Sequence, residues 1–179
     1  LAHEQVIRLV QSINELNDMA DYILIDTGAG INDQVLEFVM ASPEVLLVTT
    51  PEPSSLTDSY SLLKVLYRNP GFSDADTKIH IVANRVNSRE EGQALYEKVN
   101  SVVSQFLHGS LNFLGMIPQD LALEKAVRQQ KTVALSYPNA KSSHAIENLA
   151  ENLLNGTQEE IRERWGIVQM FSSFLSNRK

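Results

Sequence analysis

Four short, mostly apolar runs, each followed by a polar turn and then by a stretch of helical periodicity, restrict the architectures open to this 179-residue chain. The runs are Tyr22-Ile23-Leu24-Ile25, Val45-Leu46-Leu47-Val48-Thr49, Ile79-His80-Ile81-Val82-Ala83 and Leu111-Asn112-Phe113-Leu114-Gly115-Met116. A strand apolar at successive positions is buried on both faces, as strands of parallel sheets are. Apolar residues at three- and four-residue spacings, such as Val6, Val10, Ile13 and Leu16, predict a first helix over 2–19. Further helices are expected near 32–41, 55–68, 88–107, 119–129, 141–154 and 158–176. Strands alternating with helices imply right-handed crossovers and an α/β fold with a mostly parallel sheet flanked by helices.

Composition removes several function classes. The chain has no cysteine, which excludes a disulfide framework, a thiolate metal site and a nucleophilic thiol. No stretch approaches the roughly 20 apolar residues that span a bilayer, and residues near the start lack the basic-then-apolar order of a signal peptide. A cytoplasmic location is the simplest expectation. Of the net charge of −7, residues 161–179 contribute +3 and residues 1–160 contribute −10. So acidic a body argues against a broad nucleic-acid surface.

In parallel sheets ligands collect beyond the carboxyl ends of the strands, so the polar residues after each apolar run are the candidate site. Asp26 follows the first run and is itself followed by Gly28-Ala29-Gly30. A carboxylate there can hold a metal-bound water and glycine backbone can approach a phosphate, but an aspartate there also caps helices. After the second run comes Thr49-Thr50-Pro51-Glu52-Pro53-Ser54-Ser55, whose prolines fix an extended path and whose hydroxyls can cap a helix beginning near Leu56. Asn84-Arg85 places an amide with both donor and acceptor at the end of the third strand, fitted to a purine edge or to a turn. Pro118-Gln119-Asp120 offers backbone groups and a carboxylate after the fourth, open to the same pair of readings.

Taken in order, these segments resemble the MinD/ParA family of deviant-Walker P-loop ATPases, and within it the flagellar-number regulators of the FlhG/FleN type. The matching runs are Asp21 to Gly30, Val48 to Asp58, Val82 to Arg85 and Gly115 to Asp120, and the likeness extends from about residue 20 to 150. The resemblance implies ATP and Mg2+ as cofactors and a three-layer P-loop fold. It implies that Asp26 anchors magnesium through water and that Gly28 and Gly30 belong to the turn that senses the γ-phosphate. Asn84 would contact adenine, with Arg85 beside it, and Pro118, Gln119 and Asp120 would line the base pocket. Glu52, Ser54 and Asp58 would face the nucleotide of a partner subunit in an ATP-bound homodimer.

One departure from the family pattern is large. Nowhere among the 179 residues is there a glycine-rich loop ending in Gly-Lys-Ser/Thr, nor the family's second lysine near its start. That loop supplies the phosphate cradle, the phosphate-binding lysine and a magnesium-binding hydroxyl. The chain also begins at Leu1 in a helical pattern. The expectation is therefore the later part of such an ATPase, over 1–155, lacking the P-loop strand and helix and inactive by itself, with apolar sheet surface left open to self-association.

Residues 156–179 are expected to form an amphipathic helix. Trp165, Ile167, Val168, Phe171, Phe174 and Leu175 share one side of the wheel, with Gln169, Ser172, Ser173, Ser176 and Asn177 opposite, although Arg164 interrupts the apolar sector. An apolar stripe with a +3 charge suits an anionic membrane surface, and a helix docked on the body has the same pattern. The family resemblance implies the membrane reading, at the inner face of the cell membrane, with flagellar assembly or regulatory proteins as partners and a switch driven by ATP hydrolysis. A chromosome- or plasmid-partitioning ATPase and a non-catalytic interaction module are the alternatives.

Overall fold

The computed structural model describes residues 19–157 apart from Ala29. The helices expected over 2–19 and 158–176 lie outside the described residues, as do Trp165, Ile167, Val168, Phe171, Phe174 and Leu175. Three strands, β1 (Glu44–Thr49), β2 (Lys78–Val86) and β3 (Asn112–Pro118), form one parallel sheet in the order β1-β2-β3. Helix α1 (Asp33–Ala41) precedes β1, α2 (Pro53–Arg68) joins β1 to β2, and α3 (Arg89–Leu107) joins β2 to β3. After β3 come α4 (Leu121–Arg128), the single turn α5 (Val133–Ser136) and α6 (Lys141–Thr157).

The local chemistry of the helix starts explains their positions. Asn32 caps α1 by accepting from the N–H of Val35 at 3.0 Å, and Ser88 caps α3 by accepting from that of Glu91 at 3.1 Å. The second helix begins earlier than the serine-rich run predicts. Pro53 opens it, where a missing N–H costs nothing. Ser55 turns back toward the sheet instead, sharing a hydrogen bond with Thr49 Oγ1 at 3.0 Å and accepting from Thr50 N at 3.0 Å.

Helices cover the sheet on both faces. Val45, Leu47, Ile79, Ile81 and Ala83 point to the side packed by α2 and α3, where Leu63, Leu66, Ile81 and Val103 are fully buried. Met116 packs on Gly92 of α3, while its neighbour Gly115 faces Leu149 of α6, so adjacent residues of β3 look to opposite layers. Over β1 the second layer stops short: Leu46 is 41% exposed and Val48 53%. The expectation that every apolar run is buried on both faces therefore holds for β2 and not for β1.

The predicted strand over Tyr22–Ile25 is absent. Residues 22–28 have no regular secondary structure, and Leu24 is 82% exposed. An extended segment becomes a strand only when a neighbour completes its hydrogen bonds, and among the described residues β1 is laddered to β2 alone. Apolar sequence supplied the burial tendency without the partner.

Strand β3 carries a bulge that fixes α6. Ile81 pairs with Phe113 but Val82 pairs with Gly115, so Leu114 is skipped. Its carbonyl accepts a hydrogen bond from Asn152 Nδ2 of α6 at 3.0 Å. Gly115 adopts φ +147°, and a Cβ there would stand 2.8 Å from Leu149 Cδ2. Gly115→Ala is expected to destabilise the fold by about 1–3 kcal/mol through backbone strain and the displaced leucine. The midpoint of urea unfolding measures this, and an unchanged midpoint would contradict it.

Candidate functional site

The loops beyond the carboxyl ends of the three strands converge. At the end of β2 the register slips again, with Asn84 opposite Ile117 and Val86 opposite Pro118, leaving Arg85 unpaired at φ 57°. Such bulges turn a side chain away from its ordinary strand direction. The strand expected to end at Ala83 thus runs on to Val86, with Asn84 inside it. Asn84 Oδ1 accepts from Arg85 N at 2.9 Å, so its acceptor serves the bulge itself.

The bulged side chain reaches both neighbouring loops. Arg85 Nη1 lies 3.3 Å from Glu52 Oε1, and Arg85 Nε donates to Gln119 Oε1 at 3.3 Å. Gln119 Nε2 donates in turn to Glu124, and Gln119 N donates to Val86 O at 2.9 Å. These groups border an open cleft of about 280 Å³ lined by Pro51, Glu52, Arg85, Asn87, Glu91 and Gln119. Close by in the chain, Thr50 Oγ1 is buried with no hydrogen-bond partner among the described residues. Ser54 and Asp58 are exposed in the first turns of α2.

Asp120 has structural work. Its Oδ1 caps α4 through Ala122 N at 2.8 Å, and its Oδ2 accepts from Ser142 N at 3.0 Å and Ser142 Oγ at 2.9 Å, tying α4 to the start of α6. The N–H of Ser142 and then that of Ala122 hold its pKa below the ordinary 3.8, with lesser help from the Ser142 hydroxyl and the charge of Lys141, against the opposing effect of burial. Folding lowers this pKa, so the stabilisation is complete above the unfolded value and is lost as pH falls through the folded one. Asp120→Ala is expected to cost about 1–2 kcal/mol at neutral pH. Urea titrations of wild type and variant should converge in acid, and a gap that stays constant down to pH 3 would refute the assignment.

The phosphate side of the expected site is not assembled. Asp26 and Gly28 are exposed, a Cβ on Gly28 would meet no atom within 4 Å, and no hydrogen bond among the described residues ties Asp26, Gly28 or Gly30 to the other loops. Gly30 has φ +119°, a conformation that suits glycine. Among the described residues no cluster of three or more His, Asp or Glu side chains could hold a metal ion. Among the described residues, then, the loops after β1, β2 and β3 meet at one edge, and Asp26, Gly28 and Gly30 stand apart from them.

Two lining groups escape a reading of strand ends alone, Asn87 and Glu91, as does Glu124, which holds Gln119 from outside the cleft. The spacing of Ser88 and Glu91 at a helix start is a signal that could have brought in Glu91. Nothing in the sequence announces a left-handed arginine.

This is a doubly covered parallel sheet with its candidate site at the carboxyl edge, the plan of nucleotide-binding α/β proteins. No protein-family model matches the chain. It is 39% identical over 145 residues to the antiactivator FleN of Pseudomonas aeruginosa, covering 81% of this chain and 50% of FleN. It is 35% identical over 158 residues to the flagellum site-determining protein YlxH of Helicobacter pylori, covering 87% of this chain and 52% of YlxH. The solved septum site-determining protein MinD of Pyrococcus horikoshii, in complex with Mg-ADP, superposes with a TM-score of 0.59 at 25% identity, over 82% of this chain and 55% of that one. The chain belongs to the MinD/ParA family of P-loop ATPases. Within it the chain is similar to FleN and YlxH. It spans about half the length of these curated relatives, 50% and 52% respectively. Among the described residues no helix is long and apolar enough to cross a membrane.

Proposed function

We propose that this chain is the later part of a MinD-like ATP-dependent switch that regulates flagellar number or placement. The observation that carries the reading is the 39% identity to FleN together with the meeting of Glu52, Arg85 and Gln119 at the carboxyl edge of the sheet. In the whole protein Asn84, Pro118, Gln119 and the backbone of Asp120 would hold the adenine, and Asp26 would act toward magnesium once Gly28 and Gly30 are brought up to it. Bound ATP with Mg2+ supplies a γ-phosphate whose presence or loss distinguishes the two states of such a switch. Glu52, Ser54 and Asp58 stand on the loop and first turns of α2, where a second copy of the protein could reach them. Residues 1–155 make the ATPase part, and residues 156–179 carry the apolar stripe that would hold an anionic membrane from the cytoplasmic side.

Without a Gly-Lys-Ser/Thr loop, these 179 residues alone are expected neither to bind Mg-ATP tightly nor to hydrolyse it. Isothermal titration of the chain with Mg-ATP should give no binding with a Kd of about 10 μM or below, which corresponds to roughly 7 kcal/mol. A clear isotherm in that range would overturn this.

The cellular role is tested by counting flagella by electron microscopy after deletion of the gene that encodes this sequence. Altered number or position, restored by the intact gene, is expected. Unchanged flagellation with a defect in chromosome or plasmid inheritance would instead support the partitioning reading.

A further inference from the structure

We propose that Arg85 is a positioning residue, a brace that holds the β1–α2 loop and the β3–α4 loop at a fixed separation across the mouth of the cleft. The nucleotide reading above supplies only its purpose, since these are the loops assigned there to the partner-facing glutamate and to the base. Three independent features carry the proposal. The first is backbone: Arg85 is skipped by the β2–β3 ladder and sits at φ 57°, a region that disfavours side chains other than Gly, Asn and Asp. A non-glycine residue there persists when the surroundings over-determine it.

The second feature is the way the side chain is used. Two different nitrogens of one guanidinium engage two different loops, Nη1 toward Glu52 and Nε toward Gln119, both at 3.3 Å. The planar fork can make both bonds at once, whereas a lysine has a single nitrogen to offer. Gln119 is itself held from behind by Glu124 and by its own N–H to Val86 O, so the brace pulls on a segment that is anchored.

Charge is the third. Among the described residues lining the cleft, Arg85 is the only cation, set against the carboxylates of Glu52 and Glu91. Removing it would leave Glu52 and Glu91 at the mouth without a countercharge, and would cut the one side-chain link described above between Glu52 of the β1–α2 loop and Gln119 of the β3–α4 loop.

The test is amide hydrogen exchange, read by mass spectrometry on the 179-residue chain. Arg85→Ala should speed exchange about two- to fivefold in both 50–55 and 117–120 while leaving β1 and α3 unchanged, the size expected of one exposed charged contact. Arg85→Lys should restore 50–55 and leave 117–120 fast. In the wild type, exchange in 50–55 should rise with added NaCl, and in Arg85→Ala that salt dependence should vanish. Acceleration confined to 84–86, full rescue of both segments by lysine, or uniform loosening of the whole sheet would each overturn the brace. Mg-ATP binding by the full-length gene product is a separate measurement. Its absence would overturn the nucleotide reading, with the exchange pattern still deciding the brace.

Discussion

The parallel ladder on both sides of β2 is the constraint on which the rest of this structure depends. It is the middle strand of the described sheet, paired to β1 along six residues from Glu44 to Thr49 and to β3 across two slips of register. Its alternate residues Ile79, Ile81 and Ala83 form the floor on which α2 and α3 rest. The same strand ends in the bulge that aims Arg85. Core and candidate site are thus two ends of one element, and what fixes its register fixes both.

The fold was legible in the sequence where local pattern and tertiary partner agree. Runs at 45–49, 79–83 and 111–116 became strands because each lies beside another, and the helices between them lie near their expected spans since their caps and periodicity are local properties. The Tyr22–Ile25 run failed for the complementary reason. Its residues state a preference for burial, but the ladder that would satisfy its backbone has to come from elsewhere, and no such ladder is present among the described residues. Ser55 illustrates a smaller version: a hydroxyl suited to capping a helix was taken by Thr49 and Thr50 once the loop folded back on β1.

The site was legible in part. Placing the chemistry at strand ends found Glu52, Arg85, Gln119 and Asp120, because topology alone dictates that these loops share an edge. What each carboxylate or amide does there was not legible. Asp120 could have faced a ligand or a helix start, and the starts of α4 and α6 took its three hydrogen bonds. Asn84 could have offered both halves of its amide outward, and the backbone of Arg85 took the acceptor. Such choices depend on where a neighbouring N–H comes to rest, which a one-dimensional pattern does not contain.

The contact of α6 with β3 determines more than local packing. Asn152 meets the spare carbonyl of Leu114 while Leu149, three residues earlier, seats on the bare backbone of Gly115. These two points lie on one face of the helix and act like two pins. Sliding by a single turn, about 5.4 Å, would strand the amide and drive a side chain into the strand. The helix consequently has one docking position, so the place of its end at Thr157 is set by a skipped residue in the sheet. A substitution at Gly115 would therefore be felt along the whole length of α6, as far as its end at Thr157.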